Sequence, residues 1–151
     1  MRIFLAFVLF ISLLKGEAQA SIESPTIHVI GDSHSRELMF IPGCLIHYIG
    51  SVTMHRVGRD GIAGLNLKGF GVNDYDVVVF AFGEIDVRCH MGKQRDQFNR
   101  NEDEVINTLA ANFLCTILQN KLEYKNLTCV VYSVTPPTDQ TYNPTWPFMA
   151  P

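Results

Sequence analysis

Ser33 follows Gly31-Asp32 at the end of an apolar run, the placement a nucleophile needs. Thr26-Ile27-His28-Val29-Ile30 reads as a short buried strand, and Ser35-Arg36-Glu37-Leu38-Met39-Phe40 is helix-like. A serine on a tight strand-to-helix turn stands at the rim of a sheet with its hydroxyl exposed. Backbone N–H groups of the helix start point to the same spot, and the helix dipole favours negative charge there. Acyl transfer uses that geometry. The competing assignment for Gly-Asp-Ser is a turn with an N-cap, because Asp and Ser favour such positions.

A second group lies at Gly83-Glu84-Ile85-Asp86-Val87-Arg88-Cys89-His90, directly after the clearest strand of the chain. Two acids, an arginine and a histidine at the end of a buried strand suit a site, against the alternative of a solvated loop with an internal ion pair. Between the two groups, Val57-Gly58-Arg59-Asp60-Gly61 forms a third loop. In an open parallel sheet ligands bind outside the carboxyl ends of the strands, so these three loops are expected on one edge.

The elements that position them alternate between strand-like and helix-like runs. Strands are expected near residues 26–31, 51–57, 75–82 and 127–134, in spatial order 2-1-3-4. The strand at residues 51–57 is expected to run into a glycine-rich loop holding Gly58, Gly61 and Gly64. Continuous apolar strands separated by helices indicate an α/β fold with a parallel sheet covered on both faces. The best helix carries Val105, Ile106, Leu109, Ala110, Phe113, Leu114, Ile117 and Leu118 at helical spacing. Asn101 and Glu104 form its expected N-cap pair, and Lys121 and Lys125 sit toward its negative end.

These loops, in this order, resemble the GDSL-type (SGNH) hydrolase superfamily over residues 27–137. Gly31-Asp32-Ser33 matches the first block, with Ser33 at the nucleophile position. Gly58 falls at the oxyanion glycine of the second block, with Gly61 as its substitute. Gly83-Glu84-Ile85-Asp86 falls on the third block, usually Gly-x-Asn-Asp, and resembles a subgroup with Gly-Glu-Ile-Asp-x-Arg there. Ile85 replaces the asparagine that donates to the oxyanion, and isoleucine has no donor; Arg88 is the candidate replacement.

The resemblance implies a three-layer flavodoxin-like fold with Ser33 as catalytic nucleophile. Ser33 and Gly58 would form the oxyanion hole, and Asp32, His34, Glu84, Asp86, Arg88 and His90 would line the pocket. It implies no metal and no cofactor. The family's fourth block, Asp-x-x-His, has no counterpart after His90, so the chain is expected to be a piece of a longer hydrolase. Residues 21–151 alone are then expected to show little or no esterase turnover and to be only marginally stable. His28, His34, His55 and His90 are each expected to be structural rather than replacement bases.

The implied function is hydrolysis of ester (O-acyl) bonds on a carbohydrate, lipid or other small molecule. The rivals are a non-catalytic binding module with the same fold, and a phosphate or nucleotide binder. The last would need a loop richer in glycine, serine or threonine than residues 31–35.

Composition bounds the partners. At 151 residues the default is one domain, and a net charge of −3 without a basic stripe argues against nucleic acid. Arg2, the apolar run from Ile3 to Leu14 and Ala18-Gln19-Ala20 read as a signal peptide over residues 1–20, cleaved before Ser21. Its apolar run is shorter than the ~20 residues a bilayer needs. The domain at residues 21–151 is therefore expected to be secreted or periplasmic, without a stable membrane span. Export permits disulfides, and Cys44, Cys89, Cys115 and Cys129 allow either buried thiols or at least one bridge. Cys115 and Cys129 sit in apolar contexts that look like core. Asn126-Leu127-Thr128 is a glycosylation sequon leading into a strand.

Overall fold

The structure, a computed structural model, describes residues 24–132. The residues expected to form a signal peptide, the prolines from Pro136 to Pro151 and the end of the fourth expected strand lie outside the described residues. Four strands form one parallel sheet: β1 (Ile27–Gly31), β2 (Cys44–Tyr48), β3 (Val77–Ala81) and β4 (Thr128–Val131), in order β2-β1-β3-β4. The α/β class and the expected 2-1-3-4 order are thus present. The two central strands carry the buried β-branched and aromatic runs, with Val29, Ile30, Val78 and Phe80 at most 1% exposed.

The second strand is not where the sequence suggested. Residues 51–57 were expected to be extended, but Met54–Asp60 is a helix, here α1. Its start is held twice. Thr53 is extended and its hydroxyl accepts from the Arg56 N–H (3.0 Å), while the Asp86 carboxylate binds the next two N–H groups. The strand is instead Cys44-Leu45-Ile46-His47-Tyr48, set off by Gly43 and Gly50, both at positive φ, where glycine is favoured. Gly61 likewise ends α1 at φ 58°.

Helix α2 spans Gly92–Phe98 and the long helix α3 spans Glu102–Lys121. The expected N-cap is present: the Asn101 side chain accepts from the Glu104 N–H at 3.2 Å. The buried line of α3 is Val105, Leu109, Phe113, Thr116, Ile117 and Asn120. Ile106, Ala110, Leu114 and Leu118, expected in the core, face outward. The inward turn is set by polar side chains. Asn120 donates to the Leu65 carbonyl (2.9 Å) and accepts from the Leu67 N–H (3.0 Å), and Thr116 donates to the Val57 carbonyl (3.2 Å). These bonds fasten residues 57–67 to α3. Phe113 and Ile117 then complete a core with Ile30, Val57, Leu65, Leu67, Val78, Phe80 and Leu127.

All four cysteines are free thiols. Cys115, expected in the core, is exposed because it lies beside the buried line of α3 rather than on it. Cys129 is half-buried, and burial raises its thiol pKa.

Candidate functional site

The carboxyl ends of β1 and β3 flank the point where the strand order reverses, since β1 is followed outward by β2 and β3 by β4. Gly31 and Ala81 pair there. A Cβ on Gly31 would collide with the Ala81 carbonyl, so glycine lets the two strand ends approach. Asp32 follows with its N–H on the Ala81 carbonyl at 3.2 Å. A 3-10 helix over Ser33–Phe40 then lies against β2 and β1. At eight residues it is long for its type.

Asp32 is fully buried and caps that helix. Its Oδ1 accepts from the His34 N–H at 2.9 Å and lies 3.1 Å from His34 Nδ1. Its carbonyl accepts from both the Ser35 N–H (3.1 Å) and the Ser35 hydroxyl (2.7 Å). Ser33 is the first helical residue and is exposed. Among the described residues neither its hydroxyl nor its N–H has a hydrogen-bond partner. Both groups are thus available at the positive end of the helix.

Gly83, at φ 111°, turns the chain off β3 and delivers Glu84 to the same edge. Glu84 Oε2 lies 3.7 Å from His34 Nδ1 and accepts from Arg88 Nη2 at 2.8 Å. Asp32, His34, Glu84 and Arg88 therefore form one chain of charged and polar groups beside Ser33. His34 is turned onto the two carboxylates.

Asp86 occupies the same edge but has a different occupation. It is fully buried within a π-helical turn, Asp86–Met91, and accepts from the Met54 N–H (2.6 Å) and His55 N–H (3.0 Å). It is a long-range cap for α1. Burial raises its pKa, which those two N–H groups partly oppose; the Asp32 charge adds to the rise. His90, at the far end of the turn, lies against His55 with ring centres 4.1 Å apart and ring planes tilted by 31°. Burial lowers its pKa, and His55, Lys93 and Arg100 add to that.

Gly58 sits inside α1, where a fifth residue lies past the N–H groups left free at a helix start. A Cβ there would come within 2.9 Å of Asn112 Cβ and of the Phe113 N, so glycine is needed for α1 to approach α3. Ile85 is half-buried between Glu84 and Asp86. No cluster of metal-ligating side chains occurs among the described residues.

The Asp86 cap has a measurable consequence. Asp86→Ala is expected to cost about 1–2 kcal/mol, the range for losing an N-cap carboxylate, read by urea unfolding at neutral pH. Because the folded state holds this carboxyl above its ordinary value of 3.8, the unfolded chain ionises first. Asp86 therefore contributes a fall in stability as pH rises from 3.8 through the raised value. Asp86→Asn should remove that slope. A loss below about 0.3 kcal/mol in Asp86→Ala would mean that Thr53 alone holds the helix start, since cap losses typically reach ~1 kcal/mol.

Sequence reasoning missed a third constellation. His28 is buried in β1, and its Nε2 lies 3.3 Å from Asp76 Oδ2 while its Nδ1 lies 2.9 Å from His47 Nε2. The signal was present as a histidine inside an apolar strand, which needs a partner when buried. Its partners lie 19 and 48 residues away. No family model, curated protein or solved structure matches this chain, so the resemblance to GDSL-type hydrolases rests on the residues named above.

Proposed function

We propose that this chain carries a serine-hydrolase site for ester (O-acyl) bonds, on a three-layer flavodoxin-like sheet of the SGNH type, in an exported protein. One observation carries it: Ser33 is exposed as the first residue of a helix, at the carboxyl edge of a parallel sheet where the strand order reverses, with hydroxyl and N–H both uncommitted. Ser33 Oγ would attack the acyl carbon while a base takes its proton. The Ser33 N–H would receive the oxyanion. Collapse would return the proton to the leaving alcohol oxygen, and water would then release the acid from Ser33. The resemblance implies an Asp-x-x-His block as the base and its orienting acid. For Gly58 to serve as second oxyanion donor, α1 would have to open at that residue.

A binding module is the second reading, and the orientation of His34 favours it. That imidazole points at Asp32 and Glu84 and makes no hydrogen bond to Ser33. A fluorophosphonate probe separates the two. Labelling at Ser33, located by peptide mass spectrometry and lost on heat denaturation, is expected for an activated nucleophile. Absence of label together with saturable binding of an O-acylated sugar would favour the module.

A further inference from the structure

A small cavity of about 80 Å³ opens where α1, the π-helical turn, α2 and α3 meet. His55, His90, Gln94 and Arg100 form one wall, and α3 supplies the other with apolar Val105 and Leu109 beside polar Thr108 and Asn112. The lining includes no carboxylate. We propose that this cavity is a binding site for a small carboxylate with a short aliphatic tail, such as acetate or propionate.

The charge balance supports an anion. The guanidinium of Arg100 is permanently charged; its Nη1 donates to Gln94 (3.4 Å) and its Nη2 to Glu104 (3.3 Å) in an exposed ion pair, which solvent screens. Arg pairs bidentately with a carboxylate when one is offered. The two adjacent imidazoles add ring N–H groups on the same wall. The groups facing His90 are mostly positive: His55, Lys93 and Arg100 all oppose its protonation. Of the nearest acids, Asp86 is engaged by the Met54 and His55 N–H groups, and Glu104 meets Arg100 at the exposed surface, outside the cavity lining. An anion in the cavity would relieve that repulsion.

Size and shape select the anion. At ~30 Å³ per water, the volume corresponds to roughly three waters, close to an ion of about four or five heavy atoms. Val105 and Leu109 suit a methyl or ethyl group, which a phosphate, having no apolar end, would leave uncovered. The site involves neither Ser33 nor the hydrolase reading, and it stands if that reading fails.

Imidazole-detected NMR of the intact chain tests it. Propionate and acetate are expected to shift His55 and His90 saturably and to raise the His90 pKa. Affinity should therefore increase as pH falls below 6.5 toward the lowered value that His90 has in the free protein. Arg100→Gln should weaken propionate at least tenfold. Val105→Ala, which enlarges the cavity, should shift preference toward butyrate, a change that misfolding would not produce. Equal shifts from chloride at matched ionic strength would overturn the proposal. So would phosphate binding more tightly than propionate, or unchanged affinity in a folded Arg100→Gln.

Discussion

In a form that carries the Asp-x-x-His block the resemblance implies, Ser33→Ala is expected to lower ester hydrolysis by at least about 1000-fold, because loss of a nucleophile leaves only binding and oxyanion stabilisation. The same substitution should leave the thermal midpoint nearly unchanged. The Ser33 side chain is exposed, and its hydroxyl bonds to nothing among the described residues. Helix capping here belongs to Asp32, one residue earlier. Ser35→Ala provides the contrast. That hydroxyl is buried and donates to the Asp32 carbonyl at 2.7 Å, so its loss should cost stability and disturb the turn. A large rate loss with unchanged melting at Ser33, measured on a p-nitrophenyl ester, identifies the nucleophile. Full activity in Ser33→Ala would transfer the chemistry elsewhere and remove the hydrolase proposal.

The sheet was legible because its two central strands are buried on both faces and so appear as unbroken runs, Ile27–Gly31 and Val77–Ala81. Edge strand β2 was not. Cys44-Leu45-Ile46-His47-Tyr48 mixes half-buried and exposed positions, and its length fits a helix end equally well. The misplacement of α1 has the same origin. Its start is fixed by Asp86, 32 residues downstream of Met54, and no local pattern in residues 51–57 announces that contact. Of the candidate site, the Asp32, His34, Glu84 and Arg88 group was foreseen by position on the strand ends. The division of labour was not: Asp86 and Gly58 are both absorbed in seating α1, one at its start and one against α3. Acids after a strand and glycines before a turn look alike in sequence whether they serve a substrate or a helix.

The largest stability effect is expected at Asp76. Its carboxylate accepts from the Thr26 N–H (2.9 Å), the Asn73 N–H (2.8 Å) and His28 Nε2 (3.3 Å), joining the entries of β1 and β3. Asp76→Ala strips all three and leaves the Thr26 and Asn73 N–H groups and a buried imidazole nitrogen without their shared acceptor. At about 1–3 kcal/mol for each buried donor left unsatisfied, the loss should be on the order of 3–5 kcal/mol. Against a typical total of ~5–15 kcal/mol, the variant should be barely folded at 37 °C. Two pH phases should accompany this network in the wild type. Burial lowers the pKa of His47, and the adjacent His28 lowers it further. The unfolded chain therefore binds the proton first, and stability falls as pH drops below 6.5. His90 is shifted in the same direction, so His47→Gln should remove only part of that phase. Burial alone would raise the Asp76 pKa, but the Asn73 and Thr26 N–H groups and His28 outweigh it and hold the carboxyl below 3.8. Its contribution is complete above 3.8 and disappears as pH falls through the lowered value. Asp76→Asn keeps the shape but turns an amide N–H toward groups that can only donate, so it should lose the acid phase while staying destabilised at neutral pH. Urea unfolding of the variants between pH 3 and 8 resolves both phases. A cost below about 1 kcal/mol for Asp76→Ala would show that water replaces the carboxylate, since an unsatisfied buried donor alone costs ~1–3 kcal/mol.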